Sequence, residues 1–112
     1  MILFKDKYTF KQRQDEATQI LSKYPDKIPI ICETYNIDNK YKKKYLVPCE
    51  LTIGQFMYVL RKKMSILPEQ AIFLFINNKL IPINAIIGEI YNVNKDSDGF
   101  LYIDISNENT FG

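Results

Sequence analysis

The chain has 112 residues, 46% of them hydrophobic and 13% aromatic, enough for one core and too apolar for a disordered segment. Its 15 basic and 13 acidic side chains leave a net charge of +2, and with 13 Lys to 2 Arg nothing drives the whole molecule onto nucleic acid. Two cysteines without a CxxC spacing, no histidine and only four glycines exclude a structural zinc site, a histidine-based catalyst and a Gly-rich phosphate loop.

In chain order, residues 2–8 are predicted to form a short helix, and Phe10 to Tyr24 a longer one. Ala17, Ile20, Leu21 and Tyr24 fall at i, i+3, i+4 and i+7 and make one apolar stripe, which Pro25 ends. "KIPIICE" (27–33) is β-branched and reads as a buried strand, and "TYNIDNKYKKK" (34–44) as a loop. "YLVPC" (45–49) is a second short strand, with Pro48 at its end because proline donates no ladder hydrogen bond. The segment "LTIGQFMYVLRKKM" (51–64) carries the clearest helix signals. Thr52 and Gln55 form a capping box, Leu51 and Phe56 a hydrophobic staple, and Arg61, Lys62 and Lys63 complement the dipole in the last turn.

"AIFLFIN" (71–77) is a third strand, and Asn77-Asn78 a turn into a short return around Leu80. Residues 83–94 are predicted as a helix with Asn84 as its cap. "KDSDG" (95–99) is a turn, and "FLYIDI" (100–105) alternates as the last strand. The first two strands should form a hairpin, and the 52–64 helix should cross to a parallel neighbour. The sum is α+β: one mixed sheet with a helix across one face and the two N-terminal helices on the other.

The candidate chemistry is sparse. Cys32, in a strand beside Ile30 and Ile31, is an inert thiol unless something lowers its pKa, and both cysteines suit a reducing cytosol. Asn94, Asp96, Asp98 and Gly99 start like a calcium loop. Position 12 is Ile105 instead of Glu, and a strand follows, so an acidic turn is the better reading and no metal or cofactor is expected. Lys40, Lys42, Lys43 and Lys44, with Tyr41 and Tyr45, could be a solvated loop, a weak nucleic-acid patch or the rim of a groove for an acidic peptide. "KKKYLVP" looks like an edge strand, where an extended peptide could pair; edge protection by lysine is an equally open reading. Apolar runs are too short to span a bilayer, and "MILFKDKYTFKQRQDE" does not read as a signal peptide.

The blocks "KYLVP", "LTIGQF", "VLRKKM", "AIFLFINN", "DGFLYIDIS" and "ENTFG", together with "FKDKYTFKQRQDEA" and "KYPDKIPIICE", strongly resemble the autophagy ubiquitin-like modifiers of the GABARAP type. The resemblance runs from about Phe4 to Gly112. It implies a ubiquitin-like β-grasp roll with two extra N-terminal helices in a single domain: an extension over 1–25, a core over 26–106 and a conjugation tail over 107–112. It implies a non-enzymatic modifier of autophagosome formation, joined through Gly112 to phosphatidylethanolamine, with Phe111 as a recognition handle. The expected partners are activating and conjugating enzymes, a processing and delipidating cysteine protease, phosphatidylethanolamine membranes and receptors with aromatic-x-x-aliphatic motifs. The implied location is cytoplasmic, moving to autophagosomal or other organelle membranes on lipidation.

By matched position the motif's aromatic pocket would be lined by Glu16, Ile20, Pro29, Ile31, Lys44, Leu46 and Phe100. The aliphatic pocket would be lined by Tyr45, Val47, Pro48, Leu51, Phe56 and Val59. Lys44 and Arg61 would meet acidic flanking residues, and the "IFLF" strand would offer a second face at Ile72 and Phe73. The chain departs from the family in a shorter, lysine-rich loop 34–43 and in Thr9, where proline is common. A peptide-binding module that is never conjugated is the alternative.

Overall fold

The computed structural model describes residues 2–35 and 43–109. Its elements are α1 (Phe4–Lys7), α2 (Phe10–Lys23), β1 (Lys27–Tyr35), β2 (Lys44–Pro48), α3 (Ile53–Lys63), β3 (Phe73–Ile76), β4 (Lys79–Leu80), α4 (Ile87–Asn94) and β5 (Leu101–Ser106). The order is the expected one, with shifted boundaries. Thr34 and Tyr35 extend β1, and Lys44 opens β2, so the connecting loop is shorter than read from polarity alone.

Local chemistry explains the helix starts. Thr52 Oγ1 accepts from the Gln55 N–H at 3.2 Å while Gln55 Oε1 accepts from the Thr52 N–H at 2.9 Å. Thr9 and Gln12 form the same reciprocal pair at the start of α2, at 3.1 and 2.9 Å. Thr9, a departure from the family pattern, is therefore a helix cap. The expected Asn84 cap is not used: α4 begins at Ile87 behind Ile86, with no side-chain cap. The stretch before it is held by backbone bonds instead, Ile53 N–H to Ala85 O, Gly54 N–H to Ile83 O and Ile87 N–H to Leu51 O. Pairing with the start of α3 satisfies those groups and displaces the helix start.

The five strands lie in the order β2-β1-β5-β3-β4. β1 and β2 form the expected antiparallel hairpin, with Pro29 opposite Leu46 and Ile31 opposite Lys44. The parallel pair is β1 with β5, and β3 is antiparallel to β5. The α3 crossover therefore does not land on a neighbour of β2; β1 and β5 stand between β2 and β3. Asn77 and Asn78, with φ of 51° and 65°, make the two-residue turn between β3 and β4. Pro29 is tolerated inside the sheet for a geometric reason. The Cys32 N–H donates toward β2, so odd positions of β1 aim at β5, and that ladder starts only at Ile30 with Leu101.

Each face of the sheet has its own apolar layer. Ile53, Phe56 and Leu60 of α3 and Ile87 and Tyr91 of α4 pack on Ile28, Ile30, Cys32, Leu101, Ile103 and Ile105. Opposite, Phe4 and Ala17 pack on Ile31 and Phe100, with Tyr8, Ile20 and Tyr102 alongside.

Candidate functional site

β2 is the edge of the sheet, and among the described residues no strand pairs with its outer side. Its side chains alternate as its pleat requires. Tyr45 and Val47 are buried toward α3, while Lys44 and Leu46 are half-buried on the α2 side. The edge thus has an apolar wall on each face, and an extended ligand pairing with it meets both.

On the α2 side, Pro29, Ile31 and Phe100 are buried and form a floor, and Ile20 and Leu46 are partly exposed above it. The rim is an ion pair, Lys44 Nζ to Glu16 at 2.8 Å, with both side chains open to solvent. The same ammonium lies 5.5 Å from the Phe4 ring and 5.7 Å from the Tyr8 ring. On the α3 side, Tyr45, Val47 and Phe56 are buried, Leu51 and Val59 half-buried and Pro48 exposed. Tyr45 meets Phe56 edge-on with centroids 5.7 Å apart. Burial pushes the Tyr45 phenol up to about 12, so it stays a neutral donor. Of the residues that the family resemblance places in two pockets, one set lies on each side of β2.

Arg61 bonds backbone carbonyls. Its Nη1 donates to Leu67 O at 3.2 Å and Gln70 O at 2.7 Å, bracing the chain beyond α3. A cavity of about 460 Å³ lined by Tyr58, Arg61, Lys62, Ser65, Ile66 and Pro68 lies there, at the C-terminal end of α3. On the second face Ile72 is buried and Phe73 half-buried. Gly112, Phe111, Lys40, Tyr41 and Lys42 lie outside the described residues.

The acidic turn turns out to be a clamp. Asp98, fully buried, accepts from Arg13 Nη1 at 2.7 Å, from the Phe100 N–H at 2.8 Å and from the Tyr102 hydroxyl. Asp96 pairs with Lys5. Both tie the N-terminal helices to the turn that leads into β5. Sequence reading missed Arg13, whose one signal was its place one turn before Ala17 on the inner face of α2. Cys32 is buried, and desolvation, aided by Glu33 and Asp104, pushes its thiol well up.

A mixed sheet in this order, crossed by α3 on one face and carrying two helices before its first strand, defines a ubiquitin-like β-grasp protein. A family profile described as "Autophagy protein Atg8 ubiquitin like" matches residues 12–112. The chain is 52% identical over 112 residues to autophagy-related protein 8 of Emericella nidulans, covering 97% of this chain and 95% of that one. The relative from Coccidioides immitis gives 52% identity, with 97% and 96% covered. The crystal structure of Trypanosoma brucei ATG8 matches with a TM-score of 0.85 and 43% identity over 97% of both chains. Plasmodium falciparum Atg8, solved with a P. falciparum Atg3 peptide, matches with a TM-score of 0.88 and 32% identity over 99% of this chain and 100% of that one. The chain belongs to the Atg8 family of autophagy ubiquitin-like proteins. No helix among the described residues is long and apolar enough to cross a membrane.

Proposed function

We propose that this protein is a modifier conjugated through Gly112 to phosphatidylethanolamine, and that its β2 edge docks short aromatic-x-x-aliphatic motifs of receptors and of the conjugation machinery. The observation that supports the docking reading is the outer edge of β2, with which no strand among the described residues pairs, flanked by an apolar wall on each face. A peptide extended along that edge alternates its side chains with period 2, so residues i and i+3 point to opposite faces. An aromatic residue at i then enters the α2 side, against Ile20, Leu46 and the Pro29–Ile31 floor. An aliphatic residue at i+3 enters the α3 side, between Leu51 and Val59 over Tyr45 and Phe56. Main-chain hydrogen bonds to Lys44–Leu46 supply affinity, and the two walls supply selectivity.

Acidic residues before the motif would compete with Glu16 for Lys44. That exchange is nearly balanced, because exposed pairs contribute only ~0.2–1 kcal/mol. The anchors carry most of the affinity. The peptide-bound Plasmodium relative supports this reading and the inclusion of conjugating enzymes among the partners. Membership of the family supports an activating enzyme, a cysteine protease and autophagosomal or other organelle membranes as further partners. Residues 107–112 serve as the tail: a terminal glycine has no side chain to hinder attack at its carboxylate, and Phe111 beside it gives enzymes an apolar handle.

Fluorescence anisotropy with a labelled acidic peptide containing one aromatic-x-x-aliphatic motif tests the docking. Ile20→Ala and Leu51→Ala should each weaken binding, about tenfold or more, if anchors lose 1.4 kcal/mol or more. Undiminished binding by the double variant would sink the proposal.

A further inference from the structure

On the sheet face beneath the N-terminal arm, two carboxyl groups stand side by side. Glu33 of β1 and Asp104 of β5 are in-register partners in a parallel pair, so both side chains leave the same face. Glu33 is buried and serves as a ledge for the arm. Its Oε1 accepts from the Phe4 N–H at 3.0 Å, and its Oε2 pairs with Lys43 Nζ at 3.2 Å. Lys43 in turn donates to Ile2 O at 2.7 Å. Beside the packing of Phe4 and the Lys5–Asp96 pair, the arm's attachment at its first residues therefore includes a carboxylate that has a second carboxyl as neighbour and one lysine to offset it.

We propose that Asp104, beside Glu33, is an acid-set latch on the N-terminal arm: one proton gained by Asp104 tightens the docking of residues 2–8, and its loss loosens it. With both groups ionised, the pair holds two like charges in a partly dehydrated site while Lys43 supplies a single cation. Undocking the arm lets water reach Glu33 and screens the repulsion, so ionisation favours the undocked arm. With Asp104 protonated, the repulsion is gone and Glu33 keeps Phe4 and Lys43. Among the described residues the titratable groups facing the pair are few. β1 contributes Tyr35, whose hydroxyl bonds Asp104, and Lys43 faces Glu33. β3 presents only Phe73 and Phe75 at the matching positions. Lys5 of the arm is turned to Asp96 and to the Tyr102 ring, and the Cys32 thiol lies on the opposite face.

The direction agrees with the titration expected of Asp104. Burial first, and the Glu33 charge second, raise it from 3.8 to about 6, against a smaller lowering by the Tyr35 bond. If release of the arm relieves a quarter to a half of that rise, docking changes by roughly threefold to tenfold across the transition.

The test is NMR on the full chain between pH 5.0 and 7.5, following the Asp104 side-chain carboxyl carbon and the exchange protection factor of the Phe4 amide. Protection should fall threefold to tenfold as pH rises, with the same midpoint as Asp104. Asp104→Asn should hold the high-protection state at every pH. Glu33→Gln, which keeps an oxygen for the Phe4 amide, should move the Asp104 midpoint down. Protection that is flat in the wild type, that changes with a midpoint unrelated to Asp104, or that keeps its dependence in Asp104→Asn would overturn the latch. Should Asp104→Asn fail to fold, the wild-type midpoints and Glu33→Gln decide.

Discussion

Replacing Arg13 by Met should cost this fold a large share of its stability, because it removes charge and not only a contact. Arg13 Nη1 lies 2.7 Å from Asp98 Oδ2, with the two side chains 10% and 0% exposed. Without the guanidinium, Asp98 is a buried carboxylate with the Phe100 N–H and the Tyr102 hydroxyl as its remaining partners. Breaking a buried pair from one side costs about 3–5 kcal/mol. The two surviving hydrogen bonds argue for the low end, about 3 kcal/mol, from a total of roughly 5–15. With a urea slope of about 1.5 kcal/mol/M, the midpoint should fall by about 2 M. The double variant Arg13→Met with Asp98→Asn should recover most of the loss, since neutralising both partners of a buried pair is often nearly neutral. A single-variant loss under about 0.5 M, or a double variant no better than the single one, would refute the assignment of that energy to charge.

Three further outcomes follow from the same coordinates. Gly99→Ala places a Cβ 2.9 Å from the Ala17 Cβ at a φ of 99°; a loss of roughly 2 kcal/mol and a Tm about 8 °C lower by calorimetry are expected, and an unchanged Tm would show that α2 yields freely. Asp104 titrates higher in the fold than the 3.8 of an ordinary carboxyl, at about 6, so its contribution is full below 3.8 and is lost as pH rises through about 6. Asp104→Asn should therefore raise Tm at pH 7.5 and not near pH 3.5; the opposite order would mean that the raised value is wrong. Of the two cysteines, Cys32 is buried and Cys49 partly exposed, so a thiol reagent should label one site in the native protein, and slowly, because the hydrogen bond to Glu50 raises the Cys49 thiol. Fast labelling at Cys32 would contradict its place in the core.

Much of the architecture was legible because local signals agreed. The Thr52–Gln55 box fixed the start of α3, and the Asn77-Asn78 pair fixed a hairpin. What escaped depends on partners distant in sequence. The neighbour of β1 is β5, some 70 residues on in sequence (Ile30 with Leu101), and no periodicity in either strand states it. The burial of Arg13 depends on Asp98, and that of Glu33 on the arm and Lys43; charged residues read as exposed until a partner is known. The start of α4 was set by backbone pairing to the turn before α3, which outweighed the capping preference of Asn84. The Thr9–Gln12 capping box is likewise written in the sequence; the apolar stripe marks the body of α2 but not its start.

Conjugation of Gly112 to phosphatidylethanolamine, as proposed above, adds one lipid to the mass of the chain. Intact-mass analysis after incubation with ATP, the activating and conjugating enzymes and phosphatidylethanolamine vesicles tests it most directly. One lipid amide mapped by fragmentation to Gly112, and none on Gly112→Ala, is expected. No adduct under conditions that lipidate an Atg8 relative, or an adduct that survives Gly112→Ala, would contradict it.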